Sequence, residues 1–149
     1  MIYAMEPYEK VFVIVYRIVD SSLELLSLKP SPEPGRNTDY YVITGGVEKY
    51  DKSLEEASLR EVAEEIGIKS NSIISLDHTI SYTDHITFKE HAEHCFGVKA
   101  NDSKIVLNFE HIDYRWLNKN DFINTIWWDY DKKILEKMIK IIEIHEKLN

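Results

Sequence analysis

The chain has 149 residues, 44% hydrophobic and 30% charged, which suits one soluble globular domain spanning 1–149 and leaves too little for two. Its net charge of −8 argues against non-specific association with nucleic acid or an anionic membrane. A small phosphorylated molecule is not excluded, because a few local cations suffice to neutralise it.

The first strong signal is Val11–Tyr16, a continuous β-branched and aromatic run that predicts a strand buried on both faces. It is the longest apolar run and far too short to span a bilayer. The residues before it lack the charged-then-apolar layout of a secretory leader. Cys95 is the only cysteine, so no internal disulfide is possible and a cytoplasmic location is expected. Leu23–Leu28 reads as a partner strand after the turn at Asp20-Ser21-Ser22. Lys29–Asp39, with Pro30, Pro32, Pro34 and Gly35, is a loop able to wall a pocket.

Tyr40–Ile43 predicts a short strand running into Thr44-Gly45-Gly46, where paired glycines let the backbone approach a ligand closely. A helix follows. Ser53 with Glu56 three residues on is a capping-box start, and Gly67 is a natural stop. Leu59, Val62, Ala63 and Ile66 form its apolar stripe, with Glu61, Glu64 and Glu65 on a different face. Like charges at Glu61 and Glu65, one turn apart, repel by roughly 0.2–0.5 kcal/mol. The helix dipole adds about 0.3–1 kcal/mol against anions in the last turns. A divalent cation removes both penalties, and hard oxygen ligands suit Mg²⁺ or Mn²⁺. An ordinary acidic surface is the plain alternative.

Ser72–Tyr82 and Ile86–Lys99 predict two longer strands, Ile105–Leu107 a short one, and Tyr114–Leu117 a last one. Asp129–Leu148 predicts an amphipathic helix with Ile134, Leu135, Met138, Ile141, Ile142 and Leu148 inward. This order suits an α/β fold, a mixed sheet between helices.

Other chemistry finds less footing. His85, His91, His94 and Cys95 lie close in sequence, but neighbouring strand residues such as His94 and Cys95 face opposite ways, and no zinc-binding spacing occurs. Neither a nucleophile elbow nor a Walker loop is present. Trp127, Trp128 and Tyr130 could stack on a base, although aromatics opening an amphipathic helix more often belong to the core.

The stretch from Gly46 to Ile68 resembles the signature of the Nudix hydrolases, Gly-x5-Glu-x7-Arg-Glu-apolar-x-Glu-Glu-x-Gly-apolar. Its second half is complete as Arg60-Glu61-Val62-Ala63-Glu64-Glu65-Ile66-Gly67-Ile68. Its isolated glutamate falls on Lys52, a departure, with Asp51 beside it as the alternative acid. Within that family the chain is most similar to the group cleaving dATP or dihydroneopterin triphosphate. Thr44-Gly45 leads the signature there, and Glu110-His111 precedes Tyr114-Arg115-Trp116-Leu117.

The resemblance implies a Nudix-type α/β/α sandwich and a Mg²⁺-dependent pyrophosphohydrolase, with Mn²⁺ able to substitute. It would split a nucleoside or pterin triphosphate into monophosphate and pyrophosphate, as a monomer or homodimer. The resemblance further implies metal ligands at Glu61, Glu64, Glu65, Glu110 and the Gly45 carbonyl, and Arg60 as the residue orienting a helix glutamate. Thr44, Lys10 and Lys29 would contact substrate; for the two lysines, exposed surface is the alternative. Another diphosphate substrate (a dinucleoside polyphosphate, a nucleotide sugar or an oxidised dGTP) and a non-catalytic nucleotide-binding module remain open.

Overall fold

A computed structural model describes residues 6–101 and 104–148. Strand β1 (Tyr8–Val19) turns at Asp20 and Ser21 into β2 (Ser22–Pro30). Both turn residues have positive φ, 48° and 64°, the two-residue geometry that matches the twist of paired strands. Then come β3 (Ile43–Gly46), α1 (Leu54–Ile66), β4 (Ile73–Thr83), β5 (Glu90–Lys99), β6 (His111–Leu117), α2 (Lys119–Thr125) and α3 (Lys132–His145).

The strands form one mixed sheet in the order β4-β5-β1-β2-β6, with β3 also on β1. Only β1 and β5 run parallel. Val11–Tyr16 is at most 1% exposed, because helices cover both of its faces. On one face Val11, Val13 and Val15 meet Ala57, Val62 and Ile66 of α1. On the other, Phe12, Ile14 and Tyr16 meet Phe122 of α2 and Leu135, Met138 and Ile142 of α3. The architecture is the expected α/β/α sandwich. Among the described residues, no helix is long and apolar enough to cross a membrane.

The sheet is split where function is expected. β2 pairs with β1 only over Tyr16–Val19, while β3 takes the other half, opposite Lys10–Val13. The free half of β2 turns to β6 instead. A cleft opens between β2 and β3, held by the reciprocal 2.8 Å backbone bonds of Leu28 and Tyr41.

Three expectations need correction, and one helix was not foreseen. Tyr40–Ile43 contributes only that isolated bridge at Tyr41, and the strand itself is Ile43–Gly46. Ile105–Leu107 is not a strand. That segment lies along the end of α1, where Val106 and Asn108 donate to the Ile66 and Glu65 carbonyls that a helix terminus leaves unpaired. Residues 86–89 belong to the β4–β5 turn rather than to β5. Helix α2 escapes periodicity because seven residues with two buried side chains, Phe122 and Ile123, are too few to show one.

Candidate metal and substrate site

Helix α1 begins at Ser53, whose hydroxyl accepts from Glu56 N at 3.0 Å, and ends at Gly67 in the left-handed region, φ 70°. Its buried face is Ala57, Ser58, Val62, Glu65 and Ile66, with Leu59 and Ala63 at the margins. The apolar stripe is therefore rotated from its predicted position, and Glu65 lies inside it. Glu61 is half-buried. Glu64 remains exposed, with Arg60 Nη1 3.3 Å away.

Glu65 is 4% exposed, and its Oε2 has no hydrogen-bond partner. Burial, followed by the like charges of Glu61 and Glu110, pushes its pKa far above the carboxylate range. Glu110 arrives from the loop before β6, fixed by its N–H to Asn108 Oδ1 at 3.0 Å and its carbonyl to Ser31 N at 2.8 Å. His111 follows it. Its buried Nδ1 lies 3.8 Å from Glu65 Oε1, too far for a hydrogen bond, and has no other partner. Burial pulls the His111 pKa down, which favours the neutral ring, and its Nδ1 edge faces Glu65. Donor atoms of Glu65, Glu110 and His111 all lie within 4.8 Å of one another.

That arrangement fits a divalent cation on physical grounds. An orphaned buried carboxylate oxygen costs roughly 1–3 kcal/mol, more when charged. No Lys or Arg makes an ion pair with Glu65 among the described residues to offset it.

Arg60 frames the site. Its guanidinium donates to both oxygens of Asp51 (3.0 and 2.9 Å), to the Gly46 carbonyl (3.0 Å) and to Glu61 Oε1 (3.0 Å). The Asp51 carboxylate is fully shielded from solvent and closes a turn by accepting from Glu48 N at 2.8 Å. The Arg60 hydrogen bonds hold its pKa below the usual range. Asp51, not the exposed Lys52, thus fills the acidic position left open by the sequence. A side chain at Gly45 would collide with the Glu61 carboxylate, so glycine there lets β3 and α1 close on each other.

Two cavities flank Thr44. One, about 460 Å³, is lined by Glu65, Glu110 and His111 together with Arg36, Tyr41 and Trp127. The other, about 520 Å³, contains Lys10 and is reached across Tyr41, Thr44 and Trp127, which line both. Lys29 lines neither. Its ammonium donates to the Thr38 carbonyl at 3.2 Å and sits over the Tyr40 ring. The aromatic segment also departs from expectation. Only Trp128 packs on the core, while Trp127 and Tyr130 stay 38% and 36% exposed at the cavities, because α3 starts after them at its Asp131 cap.

Sequence reasoning missed Arg36, whose charge in a proline-rich loop carries no signal, and His111 as a partner of Glu110. The histidine was visible only as a neighbour in the chain.

A family model for the NUDIX domain matches residues 9–138. A search of curated proteins returned no match. Among solved structures, the chain is similar to a C. elegans Ap4A hydrolase binary complex, with a TM-score of 0.74 and 20% identity over 91% of this chain and 97% of that one. The NUDIX domain of Shewanella oneidensis NrtR complexed with ADP ribose gives 0.73 and 16% identity over 93% and 90%. The E. coli dihydroneopterin triphosphate pyrophosphohydrolase gives 0.68 and 20% identity over 89% and 97%. At such identities these likenesses concern the fold.

Proposed function

The chain belongs to the NUDIX family of pyrophosphohydrolases, and from that premise we propose that it hydrolyses a nucleoside or dihydroneopterin triphosphate to the monophosphate and pyrophosphate, with Mg²⁺ as cofactor. The observation that carries this reading is Glu65, a buried carboxylate without a counter-charge at the meeting point of Glu61, Glu110 and His111.

Glu61, Glu65 and Glu110 would hold the cation, with Glu64 at the exposed edge and the Gly45 carbonyl as a further oxygen ligand. This oxygen-rich set suits Mg²⁺, and Mn²⁺ as its substitute. The chemistry supplied by the bound ion is neutralisation of phosphate charge and activation of the attacking water. Arg60 positions Glu61 and stays off the substrate, since its donors are committed to Asp51, Gly46 and the helix glutamates. Arg36, whose guanidinium also reaches Glu33 Oε2 at 3.5 Å, lines the same cavity as Glu65 and Glu110 and offers positive charge to a terminal phosphate there. Thr44 lies between the phosphate end and the neighbouring cavity. A glutamate of the cluster takes the proton of the attacking water as the P–O–P bond breaks.

The Asp51–Arg60 pair favours catalysis over a mere binding module, because the framing of the helix carboxylates is intact despite Lys52. Incubation of purified protein with Mg²⁺ and a panel of dATP, dGTP, dihydroneopterin triphosphate, diadenosine tetraphosphate and ADP-ribose tests the reading, with products separated by chromatography. Monophosphate plus pyrophosphate from a triphosphate is expected. Turnover confined to diadenosine tetraphosphate or ADP-ribose would replace the triphosphate substrate, and no turnover by a folded, metal-replete sample would sink the hydrolase reading.

A further inference from the structure

The second cavity holds an ion pair between the half-buried Lys10 and the buried Glu93, which the hydrolytic chemistry leaves without a role. Glu93 on β5 is 6% exposed, and its Oε2 lies 3.3 Å from Lys10 Nζ. The two residues face each other directly across the parallel β1/β5 ladder, so strand register rather than a mobile loop sets their geometry. Lys10 Nζ also donates to Tyr82 Oη at 3.3 Å. Tyr82 is held in turn by stacking on His91, with ring centroids 4.9 Å apart. Two of the three ammonium protons are thereby directed, and one is left. Glu93 Oε1 has no protein donor among the described residues. Both groups line the same aromatic space as Tyr41, Trp127 and Tyr130, with the exposed Asp129 at its edge.

The pattern offered to a planar ring is one donor beside a carboxylate that has a wholly free oxygen. We propose that this cavity selects the 2-amino-4-oxo edge shared by pterins and, as the 2-amino-6-oxo edge, by guanine. Lys10 donates to the ring carbonyl, and Glu93 accepts from the ring N–H and the exocyclic amine. Such an edge presents acceptor, donor, donor in sequence and completes every vacancy. Adenine presents one donor and one acceptor, leaving a carboxylate oxygen unpaired against an aromatic wall. Thymine and uracil place a carbonyl against that oxygen, and cytosine meets Lys10 with an amine. A site built around hydrogen bonds rejects rings that leave its buried groups unpaired. The surrounding rings supply stacking, which every base can use and which therefore adds affinity rather than choice.

The inference rests on the pyrophosphohydrolase reading only for the direction of the phosphates, from this cavity past Thr44 towards Glu65. It is tested without turnover. Metal-free protein is titrated with GMP, neopterin, AMP and UMP, following quenching of tryptophan fluorescence and the heat of binding. GMP, neopterin or both should bind at least about tenfold more tightly than AMP or UMP. The better of the two identifies the source of the edge.

In Glu93→Gln the preference should shrink to within about threefold, because an amide cannot accept from both donors. The Glu93→Gln/Lys10→Met double variant, which removes the buried charge altogether, guards against misfolding and should likewise lose the preference. Equal binding of all rings, preference for AMP, no ring binding, or an unchanged preference in a folded Glu93 variant overturns the proposal. ATP turnover with AMP preferred would overturn this inference alone. Guanine or pterin selectivity without any hydrolysis would overturn the hydrolase reading alone.

Discussion

Two buried glutamates, on either side of Thr44, solve opposite electrostatic problems. Glu65 and Glu93 are 4% and 6% exposed, and burial is the main cause raising the pKa of each. Around Glu65 the next contributors are the carboxylates of Glu61 and Glu110, which raise it further. Around Glu93 the next contributor is Lys10, which pulls it back down. At one end, Glu65 has no Lys or Arg partner among the described residues. At the other, Glu93 already has a cationic partner in Lys10 and lacks only hydrogen-bond partners. That difference is the basis for proposing a cation at the first end and an uncharged polar ring at the second.

The largest effect that should separate the two ends is that of Glu65→Gln. Partners lying behind a metal ligand already cost about 10–100-fold when removed, so kcat/KM should fall by at least about a hundredfold. Its circular dichroism should remain that of the wild type. Turnover at the wild-type rate in this variant would take Glu65 out of the metal site.

Arg60→Ala should come next. It removes the donors that position Glu61 and strips the shielded Asp51 carboxylate of its charge partner. Activity should fall about 10–100-fold. Denaturant unfolding should report a loss of about 1.5–3 kcal/mol, the range for hydrogen bonds to charged groups. Lysine should not rescue the variant, since one ammonium cannot span both Asp51 oxygens and the Gly46 carbonyl.

A smaller effect concerns pH. The folded, metal-free chain binds the Glu65 proton more tightly than the unfolded chain does, whose value is near the ordinary 4.5. The stabilising contribution is therefore complete below about pH 4.5 and is lost as pH rises towards the elevated folded value. Thermal melts without metal should decline across that window, more steeply for the wild type than for Glu65→Gln. Added Mg²⁺ should flatten the wild-type curve. A curve unmoved by either change would show that the cluster carries no buried charge repulsion. The smallest effect expected is that of Lys52→Glu, which restores the letter of the signature. Because Asp51 already meets Arg60, kcat/KM should change less than about twofold, within the usual range of surface substitutions.

Different parts of the chain were legible for different reasons. β1 and the start and stop of α1 could be read because the determinants are local: a β-branched run, a serine cap and a left-handed glycine. The rotation of α1 could not, because Glu65 enters the buried face through Glu110 and His111, 45 and 46 residues further along. Asp51 was ambiguous for a related reason. Its claim on the acidic position depends on a turn that brings it to Arg60, and a shift of one residue in a loop leaves no mark on composition. The Lys10–Glu93 pair is legible only once the parallel register of β1 on β5 is known. Lys29 was open to two readings for the converse reason, since a lysine near a strand end reads the same whether it faces a pocket or a backbone carbonyl.

The central claim is that the charge deficit around Glu65 is a divalent-cation site. A titration of Mn²⁺ into the metal-free protein, read by electron paramagnetic resonance in the absence of substrate, tests it most directly. Wild-type protein should bind Mn²⁺ saturably and release it on competition with Mg²⁺. Glu65→Gln should weaken that binding by at least about tenfold, while Glu93→Gln leaves it within about twofold. Equal Mn²⁺ affinity in wild type and Glu65→Gln, or none in either, would contradict the account.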